Sequence, residues 1–173
     1  MQIGEFKQDV DYLQSYLTAR LQFKKIIKNF DAKEFKLNFD QLFFDKKNFK
    51  LFLQRGDTIV CGGLGYIYGE RVFIDIFFWN QDLFEYDMHI VRIFFEKFFL
   101  KTKDMGITEA ILPLDKNRKR FPSFKKHNQI FFRSREEVEI SDPYTAKEYL
   151  NHHLLKVNIK KYFDTIGFDA HNN

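Results

Sequence analysis

The chain has 173 residues, enough for one domain with a sizeable core, and 45% of them are hydrophobic. The formal net charge of +4 is modest and the charges are interspersed, so nucleic acid binding is not indicated. The single cysteine, Cys61, excludes an internal disulfide and a multi-cysteine zinc site, and it fits a reducing, cytoplasmic compartment. No apolar run approaches the roughly 20 residues of a membrane helix, and we expect no signal peptide at the start of the chain.

The first part of the chain, residues 1–48, is expected to be helical. Between Phe6 and Phe30 the apolar residues recur roughly three to five positions apart, which predicts one or two amphipathic helices. From Asp31 to Lys50 the sequence is charged and rich in phenylalanine but has no clean period. A loop with a short helix is therefore predicted for this second stretch.

A core sheet with one crossover helix is predicted for residues 49–140. Three apolar runs separated by glycine-containing turns predict an antiparallel meander. The predicted strands are Phe49–Gln54, Thr58–Tyr68 and Arg71–Trp79. Three glycines within the second strand predict a bulge or a close approach of another chain segment. These are Gly62, Gly63 and Gly65. The third strand is apolar at nearly every position, which favours burial on both faces.

A change of period after the third strand predicts a helix. Apolar residues from Ile90 to Phe99 recur at helical spacing, and Gly106 is well placed to end the helix in a left-handed conformation. Another strand is predicted for Ile107–Leu114. A strand, a helix and a strand of these lengths predict two parallel strands joined by a right-handed crossover. Ligands usually bind at the carboxyl ends of such strands, here residues 77–80.

The remaining sequence predicts smaller elements. A basic segment, residues 115–120, precedes a short helix that Pro122 would open, and strands follow at 129–135 and 137–140. A C-terminal helix is predicted from about Tyr144 to Phe163, within a final part that spans residues 141–173. His152 and His153 are adjacent and would face different directions on that helix, so no metal site is predicted.

This order of elements resembles the GNAT (Gcn5-related N-acetyltransferase) fold over residues 6–140. The resemblance implies an α/β (α+β) architecture for a single domain, residues 1–173. An antiparallel meander would be followed by a β-α-β crossover in one mixed sheet, with helices on both faces. The hairpin Arg55-Gly-Asp-Thr-Ile-Val-Cys-Gly-Gly63 is similar to the acidic-Gly-x-hydrophobic-Gly turn of that family.

The resemblance also implies a place for the cofactor. The family binds the pyrophosphate of acetyl-CoA with a loop of the type Gln/Arg-x-x-Gly-x-Gly/Ala after its fourth strand. Glycines there let backbone N–H groups approach phosphates at a helix N-terminus. The matching segment, Asn80–His89, has no glycine, no arginine and three carboxylates. Carboxylates at a helix N-terminus stabilise the helix but repel an anionic ligand, so this departure weighs against acetyl-CoA.

The family's second marker is an Asn after the fifth strand, followed by a helix that ends in Tyr-x-x-x-Gly-Phe. In one frame Asn117 matches the Asn and Phe124 falls at the Tyr position, where it has no proton to give. In a second frame Tyr162 stands one place early before Gly167, which leaves only residues 169–173 for a final strand. Both frames stay open, and the first suits the topology better.

Site residues follow from the resemblance. Asp75 and Glu85 would serve as bases, while backbone groups polarise a thioester carbonyl. The cofactor contacts would be Phe78, Trp79, Asn80, Asn117 and Phe124. For an Asp within an apolar strand, the commoner role is that of a paired structural carboxylate.

Two functions are consistent with this sequence. The first is an acyl-CoA-dependent N-acetyltransferase whose partners are a CoA thioester and an amine. The second is a catalytically degenerate GNAT-like structural or interaction protein of viral or mobile-element origin, which would be virion-associated if viral and would bind another protein. No membrane partner is expected. The segment 80–89 separates the two functions, because a glycine-rich version would favour the enzyme.

Overall fold

A mixed sheet organises the chain in the computed structural model, which describes residues 3–115, 119, 135–137 and 152–166. Its strands are β1 (Glu5–Lys7), β2 (Phe49–Arg55), β3 (Thr58–Tyr68), β4 (Arg71–Trp79), β5 (Glu109–Asp115), β6 (Arg135–Glu137) and β7 (His152–Asn158). The helices are α1 (Tyr12–Ile26), α2 (Ala32–Phe44), α3 (Met88–Asp104) and α4 (Ile159–Ile166). Within these residues the sheet has seven strands in the order β1-β2-β3-β4-β5-β7-β6.

The predicted meander and crossover are both present. β2, β3 and β4 are antiparallel neighbours, joined by turns in which Gly56 and Gly69 adopt φ values of 58° and 61°. β4 and β5 are parallel, with α3 between them in the chain. Gly106 follows α3 with φ 84°, the left-handed conformation predicted for it.

Helices cover both faces of the sheet, as expected. Neighbouring residues of β2 show this, because Leu51 and Leu53 lie in the core beneath α3 and α4, whereas Phe52 lies in the core beneath α1 and α2. The first core includes Phe94 and Phe98 of α3, and the second includes Phe39 of α2. The sheet is thus buried on both sides, which explains the nearly continuous apolar sequence of β4.

Three sequence predictions need correction. The stretch from Asp31 to Lys50 is mainly the 13-residue helix α2, whose Asp31 cap accepts hydrogen bonds from the N–H groups of Lys33 and Glu34. β1 was not predicted at all. The helix predicted from Tyr144 to Phe163 is wrong for residues 152–158, which form β7 and pair with β5 along its whole length. Residues 159–163 of the predicted helix lie in α4, and residues 144–151 lie outside the described residues.

Several predictions lie outside the described residues. They concern the basic segment and short helix after residue 115, where only Lys119 is described, the strand residues at 129–134 and 138–140, and Gly167. In the ranges that the structure describes, no helix is both long enough and apolar enough to span a membrane.

Candidate active site

The parallel pair β4 and β5 opens towards its carboxyl ends. The strands pair only where Arg71–Phe73 lies beside Glu109–Ile111. β4 then continues beside β3 as far as Trp79, whereas β5 continues beside β7 as far as Asp115. We call the space between the diverging halves the β4/β5 cleft; residues 74–79 and 112–115 bound it. The β4 side is about 20 Å long, at the usual rise of a strand.

Asp75 is an extra residue in β4 at the start of the cleft. Leu64 pairs with Ile76 and Gly65 pairs with Ile74, so Asp75 has no counterpart on β3. The side chains confirm the insertion: Ile74 and Trp79 are five positions apart, yet both lie in the core beneath α3. This β-bulge re-aims the second half of β4 just where its pairing with β5 stops.

Two residues of β4 turn their backbone groups towards the cleft. The N–H of Asn80 donates to the carbonyl of Val60 at 2.8 Å, which makes the facing residues Trp79 and Cys61 a non-hydrogen-bonded pair. The N–H and C=O of Trp79 therefore point away from β3. By the alternation of an antiparallel ladder the same holds for Phe77, which faces Gly63. Both residues direct these groups to the β5 side.

The backbone N–H and C=O groups of Trp79 already have hydrogen-bond partners. Its N–H donates to Oε1 of Gln22 at 2.6 Å, and its carbonyl accepts from the N–H of Gln81 at 2.9 Å. Gln22 is buried on the face of α1 that also carries Ser15 and Ala19, so its amide fixes α1 against the end of β4. Phe77 is therefore the residue whose N–H and C=O are best placed to contact a ligand in the cleft.

The last turn of α1 lies beside the mouth of the cleft. Nζ of Lys25 is 3.3 Å from Oδ1 of Asp82 in the loop that follows β4. The N–H of Lys119, beyond the end of β5, donates to the carbonyl of Ile26 at 2.8 Å. The segments that follow β4 and β5 both contact α1, so these three parts of the chain meet at the carboxyl edge of the sheet.

The loop of residues 80–87, which we call the 80–87 loop, leads into α3 without leaving an open anion site. Asp87 caps the helix: its Oδ1 accepts from the N–H groups of His89 at 2.8 Å and Ile90 at 3.4 Å. Within the loop, the carbonyl of Asn80 accepts from the N–H of Phe84 at 3.0 Å. A carboxylate of the chain itself thus occupies the end of α3 where a phosphate would be expected.

The predicted contacts Phe78, Trp79 and Asn80 lie at the end of β4, but their side chains are occupied. The ring of Phe78 is fully buried beneath α1 and α2, and its backbone groups face β3. Trp79 is 1% exposed, and its Nε1 donates to the carbonyl of Phe84 at 3.0 Å. Nδ2 of Asn80 donates to the carbonyl of Ile59 at 3.0 Å. These side chains hold the strand end in place.

The two predicted bases lie in different surroundings. Asp75 is half-buried in the bulge, at the inner end of the cleft, whereas Glu85 is exposed in the 80–87 loop. Asn117 and Phe124 lie outside the described residues, so the first motif frame stays a prediction.

Two further residues with reactive side chains, Cys61 and Tyr162, lie in defined surroundings. Cys61 is fully buried, and this burial raises the pKa of its thiol, so it is a poor nucleophile. Tyr162 of the second motif frame lies in α4, which follows β7, and its ring packs on Phe99 with 5.1 Å between the centroids. Among the described residues no group of three or more His, Cys, Asp or Glu side chains is arranged to hold a metal ion.

Sequence reasoning missed Phe77 and Gln22. The role of Phe77 depends on the register between β3 and β4, which local sequence does not contain. Gln22 could have been found, because it lies three positions after Ala19 and seven after Ser15, and so shares the buried face of α1.

The chain has a GNAT-like fold, similar to that of solved GNAT acetyltransferases. No protein family model matches the sequence, and a search of curated proteins gives no match. The likeness is instead one of structure.

Three solved structures illustrate it. An acetyltransferase from Streptococcus agalactiae superposes with a TM-score of 0.65 at 12% identity, over 91% of this chain and 99% of that one. A GNAT-family acetyltransferase from Staphylococcus aureus superposes with a TM-score of 0.64 at 12% identity, over 90% of this chain and 98% of that one. The PaiA N-acetyltransferase of Thermoplasma acidophilum, solved with coenzyme A, superposes with a TM-score of 0.58 at 10% identity, over 89% of this chain and 98% of that one. At these identities the likeness concerns the fold.

Proposed function

We propose that this protein is an N-acyltransferase that moves an acyl group from a thioester to an amine in the β4/β5 cleft. The observation that carries the proposal is the opening itself. β4 keeps its pairing with β3 to Trp79 but leaves β5 after Phe73, so this part of its edge has no strand partner among the described residues. Phe77 presents one donor and one acceptor along that edge, which suits the amide groups of a pantetheine arm.

The cofactor of similar folds fits this site only in part. The edge of β4 suits an amide-bearing arm, whereas the end of α3 is taken by Asp87 and does not suit a pyrophosphate. A bound acyl-CoA would supply an activated acyl group as its thioester. The other groups that the transfer requires are supplied by residues of this chain.

The transfer requires a carbonyl polariser and a proton acceptor. The N–H of Phe77 faces the cleft and can donate to an oxygen that gains negative charge there. A new C–N bond forms as the C–S bond breaks, the thiol leaves with one proton, and the amine gives up one. Asp75, half-buried beside the cleft, accepts the proton of the amine. Glu85 is the second candidate for this role, at the exposed mouth.

The test measures thiol release from acetyl-CoA in the presence of a panel of amines. We expect turnover with at least one amine, and Asp75→Asn should lower kcat/KM by about 10²–10⁴-fold, the usual contribution of a positioned base. Asp104→Asn, an exposed carboxylate at the far end of α3, serves as the matched control and should leave kcat/KM unchanged. Full activity of Asp75→Asn would remove this residue from the mechanism.

A second function has its own supporting observation. Because Asp87 occupies the N-terminus of α3, the domain is also suited to a role as a non-catalytic interaction module that binds another protein. Isothermal titration with acetyl-CoA and with CoA separates the two functions. Binding accompanied by thiol release supports the transferase. Absence of heat and of thermal stabilisation at millimolar ligand, together with no thiol release from any thioester, would favour the module.

A further inference from the structure

The N-terminus of α3 is closed to an external anion by the chain itself. The first residues of a helix have N–H groups without an intrahelical partner, and in α3 these belong to Met88, His89 and Ile90. The next N–H, that of Val91, already donates to the carbonyl of Asp87 at 3.0 Å. The Asp87 carboxylate takes two of the three remaining groups. A pyrophosphate would have to displace a negatively charged cap.

Part of the backbone of the 80–87 loop is also committed to internal hydrogen bonds. The N–H groups of Leu83 and Phe84 both donate to the carbonyl of Asn80, at 3.4 and 3.0 Å. The N–H of Gln81 donates to the carbonyl of Trp79 at 2.9 Å. These three amides point inward, so they do not form the outward-facing nest that a phosphate requires.

The charge of the loop opposes a phosphate as well. Asp82, Glu85 and Asp87 contribute three carboxylates within six residues. Lys25 lies 3.3 Å from Asp82, but both side chains are 53% exposed, so this ion pair is screened by solvent. Like charges a few ångströms apart repel by about 1 kcal/mol in water and by more near a protein surface.

Two apolar side chains of the loop are also exposed. Leu83 is 67% exposed and Tyr86 is 43% exposed, and both follow the end of β4 where a donor would leave the cleft. Apolar side chains at this point can cover an uncharged chain but cannot neutralise phosphate groups.

From these observations we infer that the acyl donor is recognised through its pantetheine arm, without a contribution from a pyrophosphate. This inference rests on the proposed transferase function and defines its donor class. Thioesters of pantetheine are substrates whether or not a dinucleotide is attached. The recognising groups are the N–H and C=O of Phe77 on the cleft edge, and Leu83 and Tyr86 flank the exit.

The experiment compares acetyl-CoA with S-acetylpantetheine, which has no phosphate, in the same thiol-release assay. We expect the two donors to differ by less than about threefold in kcat/KM, and raising sodium chloride to half molar should not lower the ratio of acetyl-CoA to S-acetylpantetheine, because salt screens the repulsion by the loop carboxylates. A tenfold or larger preference for acetyl-CoA that falls with salt would overturn the inference while leaving the transferase function intact. Thiol release from neither donor, with every amine, would overturn both.

Asp87→Ser tests whether the charge of this carboxylate disfavours the pyrophosphate. Serine is a good helix cap, so the variant keeps the hydrogen bonds to α3 but removes the charge. The ratio of kcat/KM for acetyl-CoA over S-acetylpantetheine should rise severalfold. Asp104→Ser removes one charge from the other end of the same helix, about 24 Å away, and should leave the ratio as it is in the wild type. An unchanged ratio in Asp87→Ser would contradict the role assigned to this carboxylate.

Discussion

Gly65→Ala tests whether the backbone of β3 is fixed at the bulge that opens the cleft. A Cβ at this position would lie 2.6 Å from the carbonyl oxygen of Phe73 and 3.0 Å from Cγ2 of Val72. Carbon–oxygen contacts are normally about 3.3 Å or longer, so the strands must separate by about 0.7 Å. Because the nearest atom belongs to the backbone, the cost should lie near the top of the range of about 1–3 kcal/mol for overpacking.

A gain in the unfolded state offsets part of that cost. Replacing glycine with alanine stabilises by about 0.4–1 kcal/mol through the lower entropy of the unfolded chain. The free energy of unfolding should therefore fall by about 2 kcal/mol, which lowers Tm by about 4–8 °C in a chain of this size. Urea denaturation followed by circular dichroism measures the change, with the m-value as a check that the transition stays two-state.

Gly63→Ala is the matched control on the same strand. Its Cβ would lie 3.2 Å from ring atoms of Phe94 and 3.4 Å from the ring of Phe98, and these side chains can shift by a few tenths of an ångström. The free energy of unfolding should therefore change by less than about 1 kcal/mol. If Gly63→Ala lost as much stability as Gly65→Ala, or if both were neutral, the argument for a rigid backbone contact at the bulge would be refuted.

Two further predictions concern α1. Gln22→Leu leaves the N–H of Trp79 buried without its acceptor, so the free energy of unfolding should fall by about 1–3 kcal/mol in urea denaturation; an unchanged midpoint would contradict this. Asp40 accepts hydrogen bonds from Tyr12 and Lys36, and although burial raises the pKa of its carboxyl, these bonds outweigh that effect and hold the pKa below its ordinary 3.8. A depressed pKa stabilises the folded state at pH values above the pKa of the unfolded chain, and this stabilisation is lost as the pH falls through the pKa of the folded state. Asp40→Asn should therefore lower the free energy of unfolding at pH 7, and the difference from wild type should shrink below about pH 4. An equal difference at pH 7 and pH 3 would refute the linkage.

The helices and strands that local sequence specifies were predicted well, and the failures have two different causes. In α2 the buried side chains recur at helical spacing, but Leu37 and Phe44 are also apolar and are 73% and 61% exposed, which obscured the period. In β7 the sequence around Leu154 and Val157 is compatible with either a helix or a strand. Its pairing with β5, about 40 residues earlier in the chain, decides for a strand.

The sequence predicts where the candidate site lies, but the orientation of each residue there depends on the strand register. Residues 77–80 do lie at the carboxyl end of a parallel strand, as the crossover predicts. Which of them faces the cleft depends on the pairing of Trp79 with Cys61 and on the extra residue Asp75, and both are properties of the register. A shift of one residue exchanges the faces of a strand, so the sequence alone does not distinguish Phe77 from Phe78 at this edge.

The likeness to acetyltransferases and the departure at α3 have separate physical origins. The fold follows from how strands pair, and it is shared with solved acetyltransferases at 10–12% identity. The end of α3 depends on single residues, because its N–H groups can accept either an external anion or a carboxylate of the chain. Asp87 commits them internally and stabilises the helix by about 0.5–2 kcal/mol. A negatively charged cap repels a phosphate from the same N–H groups, so at this position the Asp87 cap and pyrophosphate binding are opposed.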